Sequence, residues 1–102
     1  NAQGTALRIQ SQDLGKVKTT ANQLAQRAQA LKEKFSVFDE VEILGPAAAP
    51  LAKLRNQYRY HLLLKAASPK MLNKFVRTLM GNSKWIIKQT KVIVDIDPLN
   101  LL

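Results

Sequence analysis

The ten residues from Gln57 to Ala66 constrain the fold more than any other stretch. Tyr58, Tyr60, Leu62, Leu64 and Ala66 fall on one side, and Arg59, His61, Leu63 and Lys65 on the other. A period of two is the signature of a strand with one face on a core. Such a strand needs partners, and the chain supplies three. Ala6 to Gln10 alternates, with Leu7 and Ile9 against Arg8 and Gln10. Val41 to Leu44 is short, with Val41 and Ile43 inward, and Gly45-Pro46 ends it. Lys91 to Asp97 places Val92, Val94 and Ile96 inward, and Asp97-Pro98 closes it before a tail at 99–102.

Two stretches follow the helical period instead. Leu14, Val17, Ala21, Leu24, Ala28, Leu31 and Phe35 recur at steps of three and four. Asp13 is the cap for this long helix, with Ser11 in competition. Ser68-Pro69 is a cap followed by proline at the first helical position, and Leu72, Phe75, Val76 and Leu79 form the stripe behind it. Gly81-Asn82 is a C-terminal stop. Ser83 to Thr90 reads either as another helical turn or as a packed loop, with Trp85 plugging the core beneath the second helix.

The order is therefore β-α-β-β-α-β, an α+β pattern with one apolar side per element. A ferredoxin-like sandwich satisfies it: a four-stranded antiparallel sheet in the order 4-1-3-2, with both helices on one face. Residues 45–56 read as a long loop between the second and third strands, stiffened by Pro46 and Pro50 and pinned by Leu51 and Leu54. At 102 residues this is one domain. Residues 1–5, which do not begin with Met, read as an added scar or linker, leaving 6–102 as the domain.

Charge is distributed unevenly. Between Glu42 and Asp95 there is no acidic residue, whereas ten Lys or Arg occur there, and the formal net charge is +9. A field of this kind attracts polyanions. Arg8, Gln10, Arg59, His61 and Lys65 would share the open face of the sheet. Lys53, Arg55 and Arg59, at a stiff loop and a strand entrance, are the leading phosphate contacts. The competing reading makes Lys70, Lys74, Arg77 and Lys84 a solvated helix face, and pairs Arg55 or Arg59 with Asp95 or Asp97. Tyr58 and Tyr60 belong to the core side rather than to a base-stacking face.

Catalytic and metal chemistry find little support. There is no cysteine and a single histidine, His61, so no transition-metal set assembles. Asp95 and Asp97 share a side, but they read as a partner for Arg8 and a turn cap. Leu14-Gly15-Lys16-Val17 lacks the earlier glycine and the Ser or Thr after lysine of a phosphate-binding loop. An acylphosphatase, which shares the strand order, needs a Gly- and Arg-bearing cradle after the first strand; Gln10-Ser11-Gln12-Asp13 stands there instead. The absence of cysteine fits a reducing cytoplasm. No apolar run reaches the ~20 residues of a membrane span, and no leader peptide is apparent.

The run Leu44-Gly-Pro-Ala-Ala-Ala-Pro-Leu-Ala-Lys-Leu-Arg-Asn-Gln-Tyr-Arg-Tyr-His-Leu-Leu-Leu-Lys65, together with Asp95-Ile-Asp-Pro98, resembles the C-terminal domain of bacterial primosomal protein N′, a replication-restart helicase family. Asn56 stands where that family often has a small residue such as glycine. The resemblance implies a domain like a small-subunit ribosomal protein that helps to bind branched or forked DNA. It also implies single-strand DNA-binding protein and other primosome proteins as partners. ATP-driven lobes and a zinc region belong to other parts of such a helicase, so this fragment is expected to bind DNA without catalysis and without a cofactor. The DNA-binding set is then Arg8, Lys53, Arg55, Arg59, His61 and Lys65. The alternative is an RNA- or ribosome-associated module, or a docking domain for an acidic protein tail.

Overall fold

A computed structural model describes residues 3–96. Strands β1 (Gln3–Ser11), β2 (Glu42–Leu54), β3 (Gln57–Ala66) and β4 (Lys91–Asp95) alternate with helices α1 (Leu14–Lys34) and α2 (Pro69–Met80) in the expected order. The sheet runs β2-β3-β1-β4, with every pairing antiparallel. Both helices pack against β1 and β3 and touch each other, so one sheet face is covered and the other is open. This is the ferredoxin-like sandwich that the pattern predicts.

The core draws mainly on β1, β3 and the two helices, with Ile43 of β2 and Val92 of β4 packed against its margin. Leu7, Ile9, Leu62 and Leu64 from the sheet meet Val17, Leu24, Leu72, Phe75 and Leu79 from the helices, all essentially inaccessible. Phe38, on a single 3-10 turn at Ser36–Phe38, meets Phe75 edge to face at 5.0 Å. Tyr58 and Tyr60 are half-buried against this core, as the alternation requires. The last residue of the α1 stripe, Phe35, caps the helix instead and is exposed.

The ends of the helices follow local chemistry. Asp13 Oδ1 accepts from the Lys16 amide at 3.1 Å, and Ser68 Oγ accepts from the Met71 amide at 3.1 Å. Gly81, at φ 56, closes α2 by donating its N–H to the Arg77 carbonyl. Ser83 to Thr90 contains no helix; it is a turn-rich packed segment. Trp85 lies half-buried in it, and its Nε1 donates to the Met80 carbonyl at 2.9 Å.

Three expectations change. Residues 3–5 are not linker: they extend β1, paired with Leu64, Lys65 and Ala66, and Thr5 is fully buried. The long loop before β3 is instead most of β2, which continues to Leu54 and turns back through Arg55 and Asn56. Its ladder breaks between Leu44 and Ala47 and between Ala48 and Lys53, around Pro46 and Pro50. Proline has no amide to donate, so the strand passes through irregular steps while keeping its direction. Gly45 makes the first step possible: at φ +101, a Cβ there would lie 3.2 Å from the His61 carbonyl oxygen. Finally, Leu51 and Leu54 do not pin this segment. They are 71% and 44% exposed. Asp97, the Pro98 turn and the 99–102 tail lie outside the described residues.

Candidate nucleic-acid interface

The register of the sheet decides which cations meet on the open face. Arg8 pairs with His61 on β3 and with Ile93 on β4. One step along, Gln10 pairs with Arg59 and with Lys91. Cross-strand neighbours lie about 5 Å apart, and same-face residues along a strand about 7 Å apart. Arg8, Arg59 and Lys91 therefore form one patch around His61, with spacings near the Debye length of roughly 8–10 Å, where the potentials of the three cations add. The Nε atoms of Arg8 and Arg59 are buried, with no hydrogen-bond partner among the described residues. Asp95 is not Arg8's direct partner; it stands opposite Ala6.

Beyond this patch the open face changes character. The next row is Leu44–Leu63–Ala6–Asp95, and the row after it sets Lys65 opposite Glu42. A carboxylate directly across a strand offsets the charge of Lys65. The single basic surface expected from alternation is thus a basic half joined to an apolar half, with Lys65 at the far margin.

The remaining candidates sit at the β2–β3 tip. Lys53 pairs with Tyr58, and its Nζ lies 4.9 Å from the centre of the Tyr58 ring. Tyr58 belongs to the helix-facing side, so Lys53 points away from the face that carries Arg59. Arg55 is exposed in the turn at φ 53, followed by Asn56 at φ 64. Two consecutive positive φ values make a hairpin turn of the kind that Asn and Gly accept. The Lys53, Arg55, Arg59 trio is therefore split between the tip and the sheet.

Sequence reasoning missed Lys91. The signal was present: with Val92 and Val94 inward, Lys91 must point outward. Its place beside Gln10 depends on the β1–β4 register, which a single sequence does not display. The same end of the sheet opens into a groove of about 680 Å³ lined by Gln10, Gln57, Gln89 and Lys91, among others. Among the described residues no group of three His, Cys, Asp or Glu could hold a metal ion. Among the same described residues no helix is long and apolar enough to cross a membrane.

Fold and site together define a ferredoxin-like α+β domain with a cationic, uncovered sheet face. Its backbone superposes on the de novo designed protein Foldit4 with a TM-score of 0.64 at 16% identity, over 95% of this chain and 97% of that one. It superposes on the designed ferredoxin-fold protein LFR1 1 with a TM-score of 0.61 at 7% identity, over 93% and 83%. Residues 4–99 match the family described as the primosomal protein N C-terminal domain, and the chain belongs to that family. Among its relatives is the replication restart protein PriA of Bacillus subtilis, 27% identical over 78% of this chain. The proteins of the same name from Haemophilus influenzae and Rickettsia prowazekii are 36% and 38% identical over 60% and 57% of it. The chain spans only 11%, 8% and 9% of these three relatives.

Proposed function

We propose that this domain is a non-catalytic DNA-gripping module of a replication-restart helicase, holding branched or forked DNA by its phosphates. The observation that carries the reading is the juxtaposition of Arg8, Arg59, His61 and Lys91 on two adjacent rows of an open sheet, with no carboxylate in either row. Arginine forks and lysine ammonium groups so placed meet phosphate oxygens without reading bases. Arg55 and Lys53 at the hairpin tip, where Lys53 pairs with Tyr58 next to Arg59, extend the cationic surface past the end of the sheet. Lys65, faced by Glu42, contributes least. Unwinding and ATP hydrolysis belong to the parts of the helicase outside this chain. The setting is the cytoplasm, alongside single-strand DNA-binding protein and other primosome proteins.

The test is a titration of a labelled fork at rising salt. Three or four phosphate contacts give a log–log slope of roughly −3 to −4. Affinity indifferent to salt, or unchanged in a folded Arg59→Ala/Lys91→Ala protein, sinks the reading. Competition by an RNA hairpin or an acidic peptide at equal potency would favour the module or docking alternatives instead.

A further inference from the structure

The groove at the end of the sheet has a lining that phosphate binding alone does not require. Four of its residues are glutamines, namely Gln10, Gln12, Gln57 and Gln89, and Lys91 stands at its edge beside the Arg59–Gln10 row. The groove is held in shape from within the fold. Ser11 Oγ donates to the Gln89 carbonyl at 2.8 Å and accepts from the Asp13 amide at 3.2 Å, tying the segment before β4 to the end of β1. Lys16 Nζ donates to Gln89 Oε1 at 2.6 Å. That contact occupies the amide oxygen and leaves the amide NH2 as the free donor. Thr90, only 9% exposed, backs the groove, and its buried Oγ1 has no partner among the described residues.

A carboxamide is both donor and acceptor, so converging carboxamides suit a flat heterocycle that presents both kinds of edge atom. The volume lies within the range that holds a small organic ligand. Lys91 at one rim, beside the Arg59 row, and amides inside match the two halves of a nucleotide, while the Asp13 carboxylate at the α1 end of the lining keeps the phosphate to the Lys91 rim. Resting on the DNA-gripping reading, we propose that this groove receives one unpaired nucleotide of the bound DNA. Its phosphate sits at Arg59 and Lys91, and its base edge meets the amides of Gln89 and Gln57. The domain thereby distinguishes a junction, where bases are unpaired, from continuous duplex. A base already outside the stack needs no unstacking, which is where the preference arises.

The experiment measures binding of the 102-residue chain, by fluorescence anisotropy, to a fully paired duplex and to the same duplex with a single extrahelical adenine. The bulged duplex is expected to bind roughly 5- to 10-fold more tightly, the low end of what hydrogen bonds to a base edge contribute, with the Gln89 NH2 as donor and Gln57 supplying the acceptor. Gln89→Leu should abolish that preference and leave duplex affinity intact. Gln57→Leu, on a different element, serves as the second variant, and circular dichroism verifies the fold of both. Equal affinity of the wild-type chain for the two duplexes overturns the inference while leaving the DNA-gripping reading in place. So does a preference that survives in both folded variants. Binding to neither duplex removes the DNA-gripping reading and this inference with it.

Discussion

Arg59 and Lys91 flank Gln10 in a single cross-strand row, so cations separated by more than thirty positions in the chain lie two strand spacings apart on one open face. That row borders the glutamine-lined groove, and most of the functional reading grows from it.

The row predicts a hierarchy among the cations. Arg59→Ala or Lys91→Ala should each weaken fork binding and reduce the steepness of its salt dependence by about one unit, because each removes about one phosphate contact. Lys65→Ala should do far less, since Glu42 already stands across from Lys65. Equal losses at all three positions in salt titrations would show that net charge, rather than placement, drives binding.

The hairpin tip tests the backbone. Asn56 has φ 64 and Arg55 φ 53. Asn56→Gly should leave the melting temperature unchanged or slightly raised, whereas Asn56→Val should cost about 1–2 kcal/mol, because a β-branched residue resists the left-handed region. Urea unfolding followed by circular dichroism gives both values. A harmless valine would mean that the turn adopts another conformation in solution.

Phe75 reports on the core. It is fully buried and set edge to face against Phe38 at 5.0 Å. Phe75→Ala should destabilise the chain by about 3–5 kcal/mol, a large share of the stability of a domain of this size. The midpoint of denaturant unfolding measures it. A loss below about 1 kcal/mol would contradict the packing described.

Arg27 joins the two helices. Its Nη2 donates to the Leu79 carbonyl at 2.8 Å and its Nε to the same oxygen at 3.3 Å, while the guanidinium lies 4.5 Å from the Trp85 ring centre. The planar group makes both contacts at once, which an ammonium cannot do. Arg27→Lys should therefore cost about 1–2 kcal/mol and shift the emission of Trp85, the only tryptophan. An unchanged spectrum and midpoint together would show that the contact is incidental.

The strands and helices were legible because each carries a period that only one type of secondary structure satisfies. Ser68-Pro69 and Gly81 marked the ends of α2, since capping chemistry is local. The extent of β2 was hidden. Gly45-Pro46-Ala-Ala-Ala-Pro50 has neither alternation nor the amides a regular ladder needs, yet β3 still draws it into pairing through irregular steps. The start of β1 was hidden as well, because Gln3-Gly4-Thr5 has no apolar signal and Thr5 is buried only through its place opposite Leu64.

For the site, the chain alone established an excess of cations, their outward positions on β1, β3 and β4, and the family motifs at 44–65 and 95–98. Side-chain period and local charge need no knowledge of distant residues. Tertiary structure decided which cations meet: register brought Lys91 to Arg59, set Glu42 against Lys65, and turned Lys53 toward Tyr58 on the opposite face. Pairing between strands is a relation between remote segments, and a shift of one residue moves every side chain to the other face. That choice is made by the packing of the whole core rather than by any one stretch of chain.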